Sequence, residues 1–201
     1  MENPFQLYDF FQISIIEDSI DNVIKNVTTM LNDSQLTKED VKSLDFKNVC
    51  SERTIPYNPT KRKFILFEPT SNPRTTVFFP NLTDGWYTLL YNYTRIYKKN
   101  VFKAGFTTND MIQHPAYFFK YIYIDNDNLI ERSVHAIKED KWVFLTNSAP
   151  LAIEDSTNYF KRKIVDRLNN KIILDYLQKA GYDLRNDEFF KTSKSISLIT
   201  C

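Results

Sequence analysis

The residues of this chain best suited to moving a proton near neutral pH are its two histidines, His114 and His135. His114 precedes Pro115 in a loop-like stretch. His135 falls in the middle of a strand-like run, and Glu131, four residues earlier, shares its strand face. Four strand residues span about 13 Å, so sharing a face is not contact. An acid that orients a histidine must reach it by a hydrogen bond. His135 is therefore a candidate general base without a visible partner. No serine or cysteine stands in a nucleophile elbow, and no G-x-S-x-G occurs.

Metal and nucleotide chemistry find no support. There is no C-x-x-C, no H-E-x-x-H and no close histidine pair. Asp125-Asn126-Asp127 begins like a calcium loop. However, Ile130 stands where the loop needs glycine and Ala136 where it needs a bidentate glutamate. Only 3 glycines are present and no phosphate-cradling motif, so no cofactor is expected. The neighbouring acids Glu154 and Asp155 read as first-turn acids of a helix.

Two patterns could instead bind. The first is the row Tyr117, Phe119, Tyr121 and Tyr123, whose rings share one face if the segment is a strand. Such a row could stack single-stranded bases, or it could be the face on which helices pack. Packing is the preferred reading, because aromatic burial alone explains the spacing. The opposite row, Phe118, Lys120, Ile122 and Ile124, is also mostly apolar. The second pattern is the run Lys161-Arg162-Lys163 with Arg167 beyond it and Lys171 further on, expected as a basic helix face. It could meet phosphates or an acidic partner surface.

The elements that must position these residues follow from periodicity. Strand patterns occupy residues 8–16, 64–67, 75–79 and 101–107, the last interrupted by Gly105. Ile20, Val23, Ile24, Val27, Met30 and Leu31 have helical spacing behind Asp18 or Ser19 as cap. Thr37-Lys38-Glu39-Asp40 reads as a second helix start. Residues 46–61 read as loop. Trp86, Leu89, Leu90, Tyr93, Ile96 and Tyr97 line a further helix that Thr83 could cap. Residues 116–147 carry three strand patterns joined by short polar turns, a β-meander. Helices at 155–168 and 170–180, ending at Gly181, make an αα-hairpin. Residues 196–199 are an edge-strand candidate. Clustered rather than alternating elements indicate an α+β fold, a mainly antiparallel sheet packed with helices. The expected organisation is one domain over residues 1–201, with the helical N-terminal stretch, residues 1–45, a candidate appendage.

The bulk properties bound the function. A chain of 201 residues with 16 Phe and 12 Tyr can bury a core without staples. Lys and Arg total 26 and Asp and Glu 25, a net charge of +1, which argues against obligate duplex DNA binding. Two cysteines, Cys50 and Cys201, suit free thiols in a reducing compartment. Residues 1–4 begin no secretion signal, and no 18-residue apolar run suits a membrane. The expectation is a cytoplasmic, non-catalytic protein that binds another protein, of the accessory or immunity type. The surfaces in view are Lys161, Arg162 and Arg167 and the exposed part of Tyr117, Tyr121 and Tyr123. Single-stranded nucleic-acid binding on the aromatic row and an enzyme using His135 as base are the alternatives.

Overall fold

A computed structural model describes residues 5, 8–32, 37–41, 62–82, 84–109, 111–194 and 196–200. The strands are β1 (Phe10–Ile16), β2 (Thr37–Val41), β3 (Lys63–Phe67), β4 (Thr76–Pro80), β5 (Val101–Thr107), β6 (Ala116–Asp125), β7 (Asn128–Lys138), β8 (Trp142–Asn147) and β9 (Ile196–Thr200). The α-helices are α1 (Ile20–Leu31), α2 (Tyr87–Tyr97) and α3 (Asn170–Lys179). The strands form one open antiparallel sheet in the order β2-β9-β3-β4-β1-β5-β6-β7-β8. The fold is α+β. Among the described residues, no helix is long and apolar enough to cross a membrane.

Strands apolar on both faces dictate a sheet covered on both sides. In β3, Ile65 and Phe67 enter one core while Phe64 and Leu66 enter the other. The first core continues through Phe11, Ile13 and Ile15 of β1, Phe102 and Phe106 of β5, and Phe119 of β6. α3 closes it with Ile172, Ile173, Tyr176 and Leu177. The second core lies beneath α1 and α2, which contribute Val23, Val27, Leu90 and Tyr93. Residues 10–31 are thus built into the sheet and its second core, with β1 the fifth of nine strands.

Local chemistry explains several boundaries. Ser19 caps α1 by accepting from Asn22 N–H, and Asn32 ends it in the left-handed conformation. β6 and β7 join through Asn126 (φ 47°) and Asp127 (φ 65°), residue types that tolerate a left-handed backbone. β6, β7 and β8 then pair as sequential antiparallel neighbours. β5 runs unbroken through Gly105. Thr83 and the loop expected at 46–61 lie outside the described residues.

Two expectations are corrected. Thr37–Val41 is a strand, not a helix start: β2 pairs with β9, where Asp40 accepts from Ser197 Oγ at 3.2 Å. Five residues cannot hold a helix against a full antiparallel ladder, because an isolated first turn is unfavourable. The first arm of the expected αα-hairpin is also absent. Residues 155–168 form two short 3₁₀ turns, Ser156–Phe160 and Ile164–Asp166, with Lys161 and Lys163 extended between them. Ser, Thr, Asn, Tyr and Phe are modest helix formers. The stripe of Phe160, Ile164 and Leu168 is broken, since Phe160 is 87% exposed while Leu168 is buried.

Candidate functional site

The aromatic row lies on the first-core face. Tyr117 is only 7% exposed and stacks on Trp142 of β8 at 6.2 Å. Phe119 is fully buried against Tyr176 of α3. Tyr121 is half-buried and sandwiched between Phe102 (4.1 Å) and Tyr123 (4.8 Å), both nearly parallel to it. The rings of the row are thus largely occupied by one another and by the C-terminal segment.

Beside this row, β7 and β8 are pinned to the following loop by a buried ion pair. Arg132 is 1% exposed and Glu154 0% at their side chains. Arg132 Nε and Nη2 donate to the two Glu154 oxygens at 2.8 and 2.7 Å. Arg132 Nη1 donates to the carbonyls of Ser148 and Asn147, and Leu151 N–H donates to Glu154. The Tyr159 hydroxyl also donates to Glu154. Burial alone would raise the Glu154 pKa, but the hydrogen bonds from Arg132, Leu151 and Tyr159 outweigh it and hold the carboxyl below its ordinary range. Burial, reinforced by Glu154, pushes the Tyr159 hydroxyl up, so it stays a donor. Sequence reasoning places Glu154 on a helix turn. Its role depends on Arg132, 22 residues earlier, and no local signal marks that pairing.

The basic run sits next to this pin, although not on a helix. Lys161, Arg162 and Lys163 are exposed, and none forms an ion pair within the described residues. Arg167 is half-buried: its Nε donates to the Lys161 carbonyl at 2.7 Å, and its guanidinium lies 5.5 Å from the Phe144 ring of β8. Arg167 therefore anchors the run beside β8. Phe160 projects into solvent at its head.

On the opposite face, α1 and α2 cover the central strands, and α2 reaches out over β6. Gly105, Phe118, His135 and Leu145 are cross-strand neighbours in register. A methyl group on Gly105 would lie 2.4 Å from Phe118 Cε1 and 3.0 Å from Phe10 Cζ, so glycine lets the Phe118 ring lie flat over β5. Phe118 stacks on His135 at 6.0 Å, and Leu145 is 59% exposed. Lys103 lies buried below, its Nζ 3.1 Å from the Gly85 carbonyl and 5.5 Å from the Phe118 ring. Glu131 accepts from Lys120 Nζ at 2.8 Å and from the Tyr87 hydroxyl of α2. It does not serve His135.

Burial pushes the His135 pKa down to about 4, and Lys120 adds to the fall against a smaller opposing pull from Glu131. The ring is therefore neutral at physiological pH. In the unfolded chain it takes up a proton near pH 6.5, so His135 removes stability as pH falls from about 6.5 to about 4. We expect the His135 ring resonances to titrate near pH 4 in NMR spectra. His135→Phe should flatten the loss of stability over that window, measured by urea unfolding at several pH values. Among the described residues, no group of three or more His, Cys, Asp or Glu could hold a metal ion.

The two rims of the sheet differ in chemistry. β2 carries Lys38, Glu39 and Asp40 in five residues, and Lys38 pairs with Asp40 at 3.3 Å. β8, at the other rim, reads Trp-Val-Phe-Leu-Thr-Asn with no charge and no proline. Charges and proline are what keep an exposed edge from pairing. Lys138 N–H donates to Pro115 on the β6 side, so by alternation Ile137, His135 and Ser133 bond to β8. The peptide groups of Trp142, Phe144 and Thr146 then turn outward, and no described backbone group pairs with them. The candidate site is this edge, with Leu145 on one face and the basic run on the other.

No family model, no curated protein and no solved structure matches the chain.

Proposed function

We propose that the protein is a non-catalytic binding protein whose β6–β7–β8 meander captures a partner protein on the β8 edge. The observation that carries this reading is the contrast between the rims: one strand guarded by three charges, the other with none. An unguarded edge of outward N–H and C=O groups is a template for an added strand. Exposed Leu145 and the Phe118–His135 stack extend an apolar surface up to that edge. A cytoplasmic accessory or immunity-type role is compatible with it.

The reading does not use His135 as a base. A neutral imidazole lowered to about pH 4, stacked on Phe118 and without an orienting carboxylate, has little basicity to offer. Nor does it use the aromatic row as a platform for bases, since Tyr117 is buried and both faces of Tyr121 already hold protein rings.

The test is capture from native lysate with three baits. A specific partner should be recovered by the wild-type chain and by Lys38→Asp on the opposite rim, and lost by Leu145→Asp. Leu145 is exposed, so the aspartate should cost the fold no more than about 1 kcal/mol. Recovery of the same protein by all three baits, or of none by the wild-type chain, would sink the proposal.

A further inference from the structure

We propose that the segment taken up by the β8 edge is an acidic extended strand of another protein, alternating apolar and acidic residues; this rests on the edge-binding reading above. A strand added to β8 presents alternate side chains to the two faces of the sheet. On one face they meet Val143 and Leu145, the second of these 59% exposed. Apolar side chains suit that face.

On the other face they meet the surroundings of Phe144. The Tyr159 ring lies 5.4 Å from Phe144, and the Arg167 guanidinium lies 5.5 Å from it. Arg167 in turn holds the backbone of Lys161. Lys161, Arg162 and Lys163 are exposed there with no ion pair among the described residues. Asp155 is drawn toward Lys161. Its carboxyl is lowered first by Thr157 hydrogen bonds and only weakly by Lys179 and Lys161. Three exposed cations that form no ion pair among the described residues, beside this edge, select carboxylates on the incoming strand.

The same charges disfavour a second copy of this chain as the occupant. Antiparallel pairing of two β8 strands needs a two-fold axis perpendicular to the sheet, which leaves equivalent faces on the same side. Both basic runs would then flank one seam on one face. Like-charge juxtaposition of that kind works against association.

The experiment uses the intact chain and three synthetic eight-residue peptides, alternating valine with glutamate, with lysine or with threonine. Affinity is read by fluorescence anisotropy at low and high salt, and hydrogen exchange is followed at the amides of Trp142, Phe144 and Thr146. The valine–glutamate peptide should protect those amides and bind about tenfold more tightly than the valine–threonine peptide, from three exposed charge pairs. The advantage should vanish at high salt and in the Lys161→Glu, Arg162→Glu, Lys163→Glu triple variant. If all three peptides protect the amides equally, the edge reading stands and the acidic assignment falls. If no peptide protects them, the edge reading itself fails. Protection that rises with protein concentration alone would identify a second copy as the occupant and overturn the assignment. Salt dependence in the wild-type chain decides the question even if the triple variant fails to fold.

Discussion

Glu154→Gln should destabilise the protein by about 3–5 kcal/mol, because it leaves the Arg132 guanidinium charged, buried and without its counter-ion. Arg132→Met should be nearly as damaging, since it strands the Glu154 carboxylate instead. The double replacement Arg132→Met with Glu154→Leu should recover much of the loss, because a packed apolar pair needs no desolvation of charge. Guanidinium chloride unfolding of the wild-type chain and these variants checks it. Two single variants within about 1 kcal/mol of wild type would show that the pin carries no such stability. The loop 148–154 is what the pin holds against β8, so the single variants should also loosen the base of the proposed binding edge. The pH dependence has a definite sign. Glu154 is depressed in the folded state, so its contribution is complete above the ordinary carboxyl value of 4.5 and is lost as pH falls through the folded value. This window opens at 4.5 and so overlaps the lower end of the His135 window; His135→Phe, which removes only the histidine contribution, separates the two.

The second large effect concerns the aromatic row. Phe119→Ala should cost about 3–5 kcal/mol, because the ring is fully buried between Phe102 and Tyr176 and its removal leaves a cavity that α3 can only partly close. Tyr123→Ala, at the half-buried end of the same row, should cost about 1 kcal/mol, mostly from its stack on Tyr121. Thermal or denaturant unfolding of both variants checks the gradient. Equal and small losses would mean that the row is a free surface, as base stacking requires. The gradient matters because it marks how far along this face the core extends before the row reaches solvent.

How much of this is legible in the sequence depends on range. β1, α1, β3 to β8 and α3 are readable because period two and period 3.6 are imposed by neighbours a few residues away. The turn at Asn126-Asp127 is readable for the same reason. β2 is not, because Thr37-Lys38-Glu39-Asp40 is locally a fair helix start and becomes a strand only against β9, some 160 residues on. The segment 155–168 misleads because its apolar stripe looks helical. Tertiary partners instead draw Glu154 to Arg132 and Arg167 to Phe144, and leave Phe160 in solvent.

The candidate site divides in the same way. Its residue types are visible: the basic triplet, the aromatic row with the apolar row opposite it, and His135 all stand out, and Arg167 groups with the triplet. The sequence by itself determined which side chains share a face, because alternation is a property of the extended chain. Only the tertiary structure decided which face is covered, that β8 rather than 196–199 forms an outer rim, and that this rim lacks the charges guarding its counterpart. Those outcomes depend on where distant segments pack, and no local period records that.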